Sequence, residues 1–141
     1  MAVKNPKELF VRLLSGIRQG TEQGTKLYKE ISQLVEDPEV KEVLDARAFI
    51  SEKSVSTIDE CFRVIGEKPV KVSTQVQDVF ANEFRKEFAE IEDPATRRLY
   101  LLARANQLNQ LRVAEYASLV AAADISGHSG VSVFAIKLPS R

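Results

Sequence analysis

The sequence predicts an all-α helical bundle, and two kinds of observation support this prediction. Apolar residues recur about every 3.6 positions in four stretches, as expected for helices that bury one face. Asparagine or aspartate directly precedes Pro6, Pro38 and Pro94, which is typical of an N-cap followed by proline in the first helical turn. With 141 residues, of which 44% are hydrophobic and 28% charged, we expect one soluble domain with its own core.

Four helices follow one another along the chain. Two long helices are predicted over residues 6–35 and 38–65, and Gly66 is a natural C-terminal stop for the second. A shorter helix is predicted over 74–91, where Thr74 and Gln77 have the spacing of a capping box, and a third long helix over 94–123. The residues expected to face inward include Leu13, Leu34, Val43, Val76, Phe80, Phe84, Leu102, Leu108 and the tyrosines Tyr28 and Tyr116.

The character of the sequence changes after Asp124. A glycine- and serine-rich stretch at 126–130 precedes an apolar stretch at 131–138. We therefore expect residues 1–125 to form the bundle and 126–141 to form a flexible loop and an apolar C-terminal tail. The tail either packs as an extended arm or is disordered. His128, the single histidine, lies in this loop and is expected to be solvated.

The overall charge narrows the classes of partner. Twenty basic and twenty acidic residues cancel, so we expect neither nucleic acid nor an anionic membrane as a partner, whereas near-zero net charge favours self-association. No apolar segment near the N-terminus indicates a signal peptide, and the cytoplasm is the expected compartment. Cys61, the single cysteine, phases inward and is expected to be a buried, inert thiol.

Two arginines occupy positions where an apolar residue would be expected. Arg47 and Arg112 each lie at the centre of the apolar stripe of a long helix, and burying an unpaired guanidinium is costly. In helical bundles this level carries metal and cofactor sites built from carboxylates and imidazoles. Here it carries cations and neutral polar residues. The neutral residues at this level are Thr21, Ser51, Ser54 and Asn109.

The two arginines have two interpretations. The favoured one pairs them with Glu83 and Glu87, which lie on or near the apolar face of the short helix, and such a pair would mainly fix the register of the helices. The alternative is an anion site, in which both guanidiniums act together with Asn109 and Ser51. A carboxylate or phosphate would suit the guanidinium fork.

Three glycines repeat every four residues in the first helix. Gly16, Gly20 and Gly24 fall within its apolar arc, and together they cost about 3 kcal/mol relative to alanine. Close approach of another helix, within the chain or across a homodimer, would compensate for this cost. A stripe that leaves room for a ligand is the alternative, and a tolerated weak helix is the third reading.

Several stretches together resemble a known family. They are Leu9-Phe10, residues 37–42 (Asp-Pro-Glu-Val-Lys-Glu), residues 62–69 with their Gly-Glu-Lys-Pro turn, residues 92–94 (Glu-Asp-Pro) and residues 113–116 (Val-Ala-Glu-Tyr). This pattern resembles the YciE/YciF-type ferritin-like proteins, in register and without gaps over most of the four helices. The Gly-Glu-Lys-Pro turn is the most specific of the matches.

The resemblance implies a fold and a set of ligands. The fold is an all-α, ferritin-like helical bundle with three long helices, one shorter helix and an extended C-terminal tail, cytoplasmic, often dimeric and associated with stress. The family's possible di-metal ligands do not carry over, because the expected glutamates and histidines fall at Thr21, Arg47, Ile50 and residues 109–112. We expect the loop and tail after Asp124 to replace the last ligand-bearing helix of the family.

We therefore expect a non-enzymatic protein without metal or cofactor, with a structural or binding role as a homodimer. The helix-one glycines and the apolar tail are its expected interface. One alternative is a divergent di-metal oxidase or stress protein that holds iron or manganese with atypical ligands such as Glu22, Glu52 and Glu115. The other is a small-anion binder that uses Arg47 and Arg112 with Asn109.

Overall fold

The computed structural model of the protein describes residues 2–125, which form four helices and contain no strand. They are α1 (Pro6–Leu34), α2 (Pro38–Ile65), α3 (Gln75–Glu90) and α4 (Pro94–Ile125). The predicted all-α bundle is confirmed, and every helix end lies within two residues of its predicted position. No helix in this range is long and apolar enough to cross a bilayer. The predicted loop and tail, with their histidine, lie outside the described residues.

Side-chain caps start three of the helices, as the sequence predicts. Asn5 Oδ1 accepts a hydrogen bond from the backbone amide three residues on at 2.8 Å, and Asp93 Oδ2 does the same at 2.9 Å. Asp37 Oδ1 accepts one from the amide two residues on at 2.9 Å. Gly66 ends α2 in the left-handed conformation, with φ of 68°, and its amide donates to the Arg63 carbonyl at 3.2 Å.

The predicted capping box at the start of α3 is wrong. Thr74 has φ of −105° and ψ of 9°, which is not the extended conformation of a typical N-cap, and it caps no backbone amide. Its hydroxyl donates instead to Asp78 Oδ2 at 2.7 Å. The side chain of Gln77 lies close to Gly20 of α1. This short helix is therefore attached to the bundle by its side-chain contacts.

The core consists of two apolar clusters with a polar band between them. One cluster packs around Phe10, Ile58 and Leu119, and the other packs around Ile31, Leu44 and Phe84. The band of predicted polar residues falls between the two clusters on α1, α2 and α4. Five residues predicted to face inward are instead exposed by 39% to 66%: Leu13, Leu34, Val43, Val76 and Leu102.

The exposed residues show where helical phase alone fails. On α3 only Phe84 and Phe88 are buried, so the N-terminal half with Val76 packs less closely than its apolar pattern predicts. Cys61 follows its prediction, since it is fully buried. Burial raises the pKa of its thiol to about 11, which keeps the thiol protonated and unreactive near neutral pH.

Candidate functional site at the polar band

Arg112 is the most deeply buried charge of the polar band. The residue is 6% exposed, and its Nη2 donates to Glu115 Oε1, one turn further along α4, at 2.9 Å. Its Nε and Nη1 atoms, together with Glu115 Oε2, find no hydrogen-bond partner among the described residues. A buried polar group without a partner typically costs about 1–3 kcal/mol. The single hydrogen bond of Arg112 therefore offsets only part of the desolvation cost of its guanidinium.

The guanidinium of Arg112 lies directly against the backbone of α1 at Gly20. A Cβ atom at this glycine would lie 2.2 Å from Arg112 Nη1, closer than real Cβ atoms approach their neighbours, and 3.0 Å from Arg112 Cζ. The same point lies 2.9 Å from the side-chain nitrogen of Gln77. Glycine is therefore the residue that lets the buried guanidinium occupy this position.

The other two glycines of the stripe have different surroundings. A Cβ on Gly24 would meet Leu108 of α4 at 4.0 Å, an ordinary van der Waals distance. A Cβ on Gly16 would meet no described atom within 4 Å. The stripe thus faces the same chain at two of its three positions, and a dimer face at Gly16 stays a prediction.

The hydroxyl groups of the band bond mainly to the backbone and to one another. Thr21 Oγ1 donates to the carbonyl one turn before it at 2.7 Å and lies 3.2 Å from the Tyr116 hydroxyl. Ser51 Oγ donates to the Thr21 carbonyl at 3.3 Å, which ties α2 to α1. Ser54 Oγ donates to the carbonyl one turn before it at 3.0 Å. These hydroxyls are satisfied within the bundle.

Arg47 and Asn109 line a small cavity in the band, and Arg112 forms part of its wall. Tyr28 lines the same cavity, beside Arg47. Burial raises the pKa of Tyr28, and the charges of both arginines partly oppose that rise. The cavity has a volume of about 30 Å³, which is room for about two water-sized groups and too little for phosphate.

The predicted pairing of the band arginines with Glu83 and Glu87 is wrong. Both glutamates contact Nη2 of Arg104 instead, Glu83 at 3.2 Å and Glu87 more closely. Arg104 Nε also donates to the Tyr100 hydroxyl at 2.9 Å, and its Nη1 donates to Gln107 Oε1 at 3.1 Å. All three nitrogens of this guanidinium are therefore satisfied.

The position at which α3 meets α4 explains this pairing. The ring of Phe84 stacks against that of Tyr100, with the centroids 5.9 Å apart. This contact places the acidic face of α3 beside Arg104. Arg112 lies two turns further along α4 and takes Glu115 as its partner.

Comparison with known proteins identifies the family. The sequence profile described as Domain of unknown function (DUF892) matches residues 5–133. The chain belongs to this family. No curated protein matches the sequence of this DUF892 protein.

Two solved structures share its fold. YcfI from Rhodopseudomonas palustris, described as a candidate structural protein, has a TM-score of 0.89 at 22% identity, covering 95% of this chain and 85% of that chain. The stress protein YciF of E. coli has a TM-score of 0.88 at 17% identity, covering 96% of this chain and 86% of that chain. The predicted resemblance to YciE/YciF-type proteins is therefore confirmed, and at these identities the likeness describes the fold alone.

The described side chains of this DUF892 protein do not fit the di-metal centre that its resemblance implies. No group of three or more His, Cys, Asp or Glu side chains comes together anywhere in the described range. Glu22, Glu52 and Glu115 each form an ion pair with a basic residue. These basic partners are Arg18, Lys29 and Arg112, respectively. A guanidinium at the centre of the band would also repel a bound cation.

Several members of this site were not predicted as members. Tyr28 and Tyr116 were assigned to the core as apolar residues, although their hydroxyls lie in the band. The spacing of three residues between Arg112 and Glu115 is a signal for an ion pair on one helix and could have identified the partner. Nothing in the local sequence indicates the approach of Gln77, because it depends on how α3 crosses α1.

Proposed function

We propose that this protein is a metal-free member of its family, non-enzymatic, with a structural or binding role. The observation that carries this proposal is the burial of Arg112 at mid-bundle level, where its only hydrogen bond within the described range is to Glu115. A positive charge supplied by the chain stands at the level where a ferritin-like bundle would otherwise concentrate metal ligands. The acids nearby are each held by basic residues, which further supports a core that needs no metal.

The metal content of the purified protein tests this proposal. The protein is produced in medium supplemented with iron and manganese, and both elements are quantified per chain. We expect far less than one atom per chain and no change in melting temperature when either metal is added. About two atoms per chain, together with a higher melting temperature, would contradict the proposal and favour a di-metal oxidase. Loss of that metal in Glu115→Ala would then identify a ligand.

We further propose that the protein acts as a homodimer. Large apolar side chains are exposed on α2, where Val43, Phe49 and Ile50 are exposed by 48%, 57% and 37%, and on α4 at Leu99 and Leu102. The zero net charge also supports association. A link to stress is supported only by the description of the structural neighbour YciF as a stress protein.

Light scattering coupled to size-exclusion chromatography tests the dimer. We expect a mass of twice 15.8 kDa for the native chain and a shift toward the monomer for Phe49→Glu. The matched control is Val76→Glu, which places the same charge on an exposed apolar residue of α3. A native protein that elutes with the mass of one chain at micromolar concentration would contradict this proposal.

A further inference from the structure

A cavity of about 380 Å³ lies between α1, α3 and α4, on the side of Arg112 that faces Gly20. Its volume falls within the range of small-molecule sites, about 300–1,000 Å³. Leu27, Phe80 and Leu108 contribute an apolar wall. Gln77 and Arg112 form the polar wall of the cavity. The cavity is therefore amphipathic and much larger than the cavity beside Arg47.

Two nitrogen donors converge at the polar wall. Arg112 Nη1 and Gln77 Nε2 lie 2.2 Å and 2.9 Å from the same point beside the bare Cα of Gly20. Arg112 is more than nine-tenths buried, and its Nη1 has no partner in the described part of the chain. A carboxylate oxygen that reached both nitrogens would accept a charge-assisted hydrogen bond from Arg112 and a neutral hydrogen bond from Gln77.

The two acidic residues that line this cavity accept hydrogen bonds from neighbouring side chains. The carboxylate of Glu30 accepts three hydrogen bonds from Arg85 at 3.0–3.2 Å. Asp78 accepts one from the Thr74 hydroxyl at 2.7 Å. Lys26 adds another positive charge at the rim. The cavity lining thus has three basic side chains, those of Lys26, Arg85 and Arg112, against two acidic ones, and this excess of positive charge favours an anion over a cation.

We propose that this cavity binds a small organic carboxylate, with its head group on Arg112 and Gln77 and its apolar body against Leu27, Phe80 and Leu108. Because Glu115 already neutralises part of the guanidinium charge, a monoanionic carboxylate suits the site better than dianionic phosphate. The proposal rests on the metal-free binding role proposed above, and it names the chemistry of the ligand. It shares Arg112 with the anion site predicted from sequence, but it uses Gln77 where that prediction used Arg47, Asn109 and Ser51.

A titration followed by two-dimensional 1H–15N NMR tests this site, with sodium hexanoate as the probe. We expect saturable shifts of backbone amides around the cavity on α1, α3 and α4. Two comparison probes are titrated in the same way. Hexylammonium has a similar apolar chain but a positive charge, and inorganic phosphate has a higher negative charge but no apolar chain. Both should bind more weakly than hexanoate by at least about tenfold.

Variants of the two arginines locate the site. Arg112→Met should weaken hexanoate binding by at least about tenfold, the size expected for loss of a charge-assisted hydrogen bond. Arg47→Met removes the same charge from the small cavity and should leave the affinity unchanged. If Arg112→Met fails to fold, Gln77→Leu keeps the guanidinium and should still weaken binding several-fold.

Three results would overturn the proposal. They are unchanged binding in Arg112→Met, weaker binding in Arg47→Met alone, or phosphate or hexylammonium that binds as tightly as hexanoate. Metal analysis of the same sample separates the two proposals. About two metal atoms per chain would contradict the metal-free role even if the carboxylate binds, whereas metal-free protein with binding independent of Arg112 would contradict only this site.

Discussion

Arg104 and Arg112 lie two turns apart on α4 and show opposite relations between burial and hydrogen bonding. The side chain of Arg104 is 15% exposed, and each of its three nitrogens donates to a side-chain acceptor. The side chain of Arg112 is 7% exposed, and only its Nη2 has a partner in the described bundle. The more deeply buried guanidinium is therefore the less satisfied one.

This difference distinguishes two uses of the same side chain. Arg104 joins α3 to α4 in a network of the kind that stabilises a bundle and fixes its register. Arg112 carries a desolvation cost that its single hydrogen bond offsets only in part. A buried polar group that stays unsatisfied needs an explanation, and a ligand that accepts from Nη1 supplies one.

Replacing each arginine by methionine should give the largest contrast. We expect Arg104→Met to lower the free energy of unfolding by about 2 kcal/mol, since it removes four hydrogen bonds whose acceptors are partly solvated. Arg112→Met combined with Glu115→Gln should change it by less than about 1 kcal/mol, because replacing both charges of the buried pair relieves a desolvation cost that offsets the lost ion pair. Urea denaturation at pH 7 measures both values. A larger loss in the double variant than in Arg104→Met would contradict the contrast.

Alanine substitutions at Gly24 and Gly20 should have smaller effects on the free energy of unfolding, and these two effects should have opposite signs. Gly24→Ala should raise the free energy of unfolding by about 1 kcal/mol through helix propensity, because its Cβ would meet Leu108 at an ordinary distance. Gly20→Ala should lower it by about 1 kcal/mol, since the new Cβ would displace the Arg112 guanidinium. Urea denaturation again provides the measurement. Equal stabilisation by both substitutions would show that the guanidinium does not press against α1.

The smallest of these effects concerns the glutamate partners of the two arginines. The contributions of Glu87 and Glu115 to the free energy of unfolding should change in opposite directions as the pH falls. Hydrogen bonds from Arg104 and Tyr100 lower the pKa of Glu87, so its contribution to stability is present above about pH 4.3 and lost as the pH falls through the folded-state pKa. Burial raises the pKa of Glu115 against the opposing charge of Arg112, so its contribution is present at low pH and lost as the pH rises through the folded-state pKa.

Melting temperatures of Glu87→Gln and Glu115→Gln at pH 7 and pH 4 measure this difference. Relative to the native protein, the deficit of Glu87→Gln should shrink at pH 4. The deficit of Glu115→Gln should grow at pH 4, because the native glutamate becomes protonated and its ionisation penalty is removed. The same direction of change in both variants would indicate that the two carboxylates share one environment.

Helical phase and capping residues predicted most of the fold. The sequence predicted the bounds of α2, the start of α4 at Pro94 and the level of the polar band, because these features depend on spacing within single helices. The partner of Arg112 and the approach of Gln77 were not. Both depend on where α3 crosses its neighbours, and that position is determined by contacts between helices, such as the stacking of Phe84.

The cavity beside Gly20 could not be predicted for the same reason. The sequence indicated that the glycine stripe faces a close neighbour or a ligand, but not which side chain occupies the space. In the structure that side chain is the cation that the sequence had placed near Arg47 and Asn109. Arg112 therefore lines both this cavity and the small cavity that it shares with Arg47 and Asn109.

A double-mutant cycle between Gly20 and Arg112 tests most directly whether the buried guanidinium rests against the backbone of α1. The free energy of unfolding is measured for the native protein, Gly20→Ala, Arg112→Met and the double variant. We predict that Gly20→Ala destabilises the native protein but stabilises Arg112→Met by about 1 kcal/mol, a coupling of about 2 kcal/mol. Effects that add within about 0.5 kcal/mol would contradict this arrangement of the core.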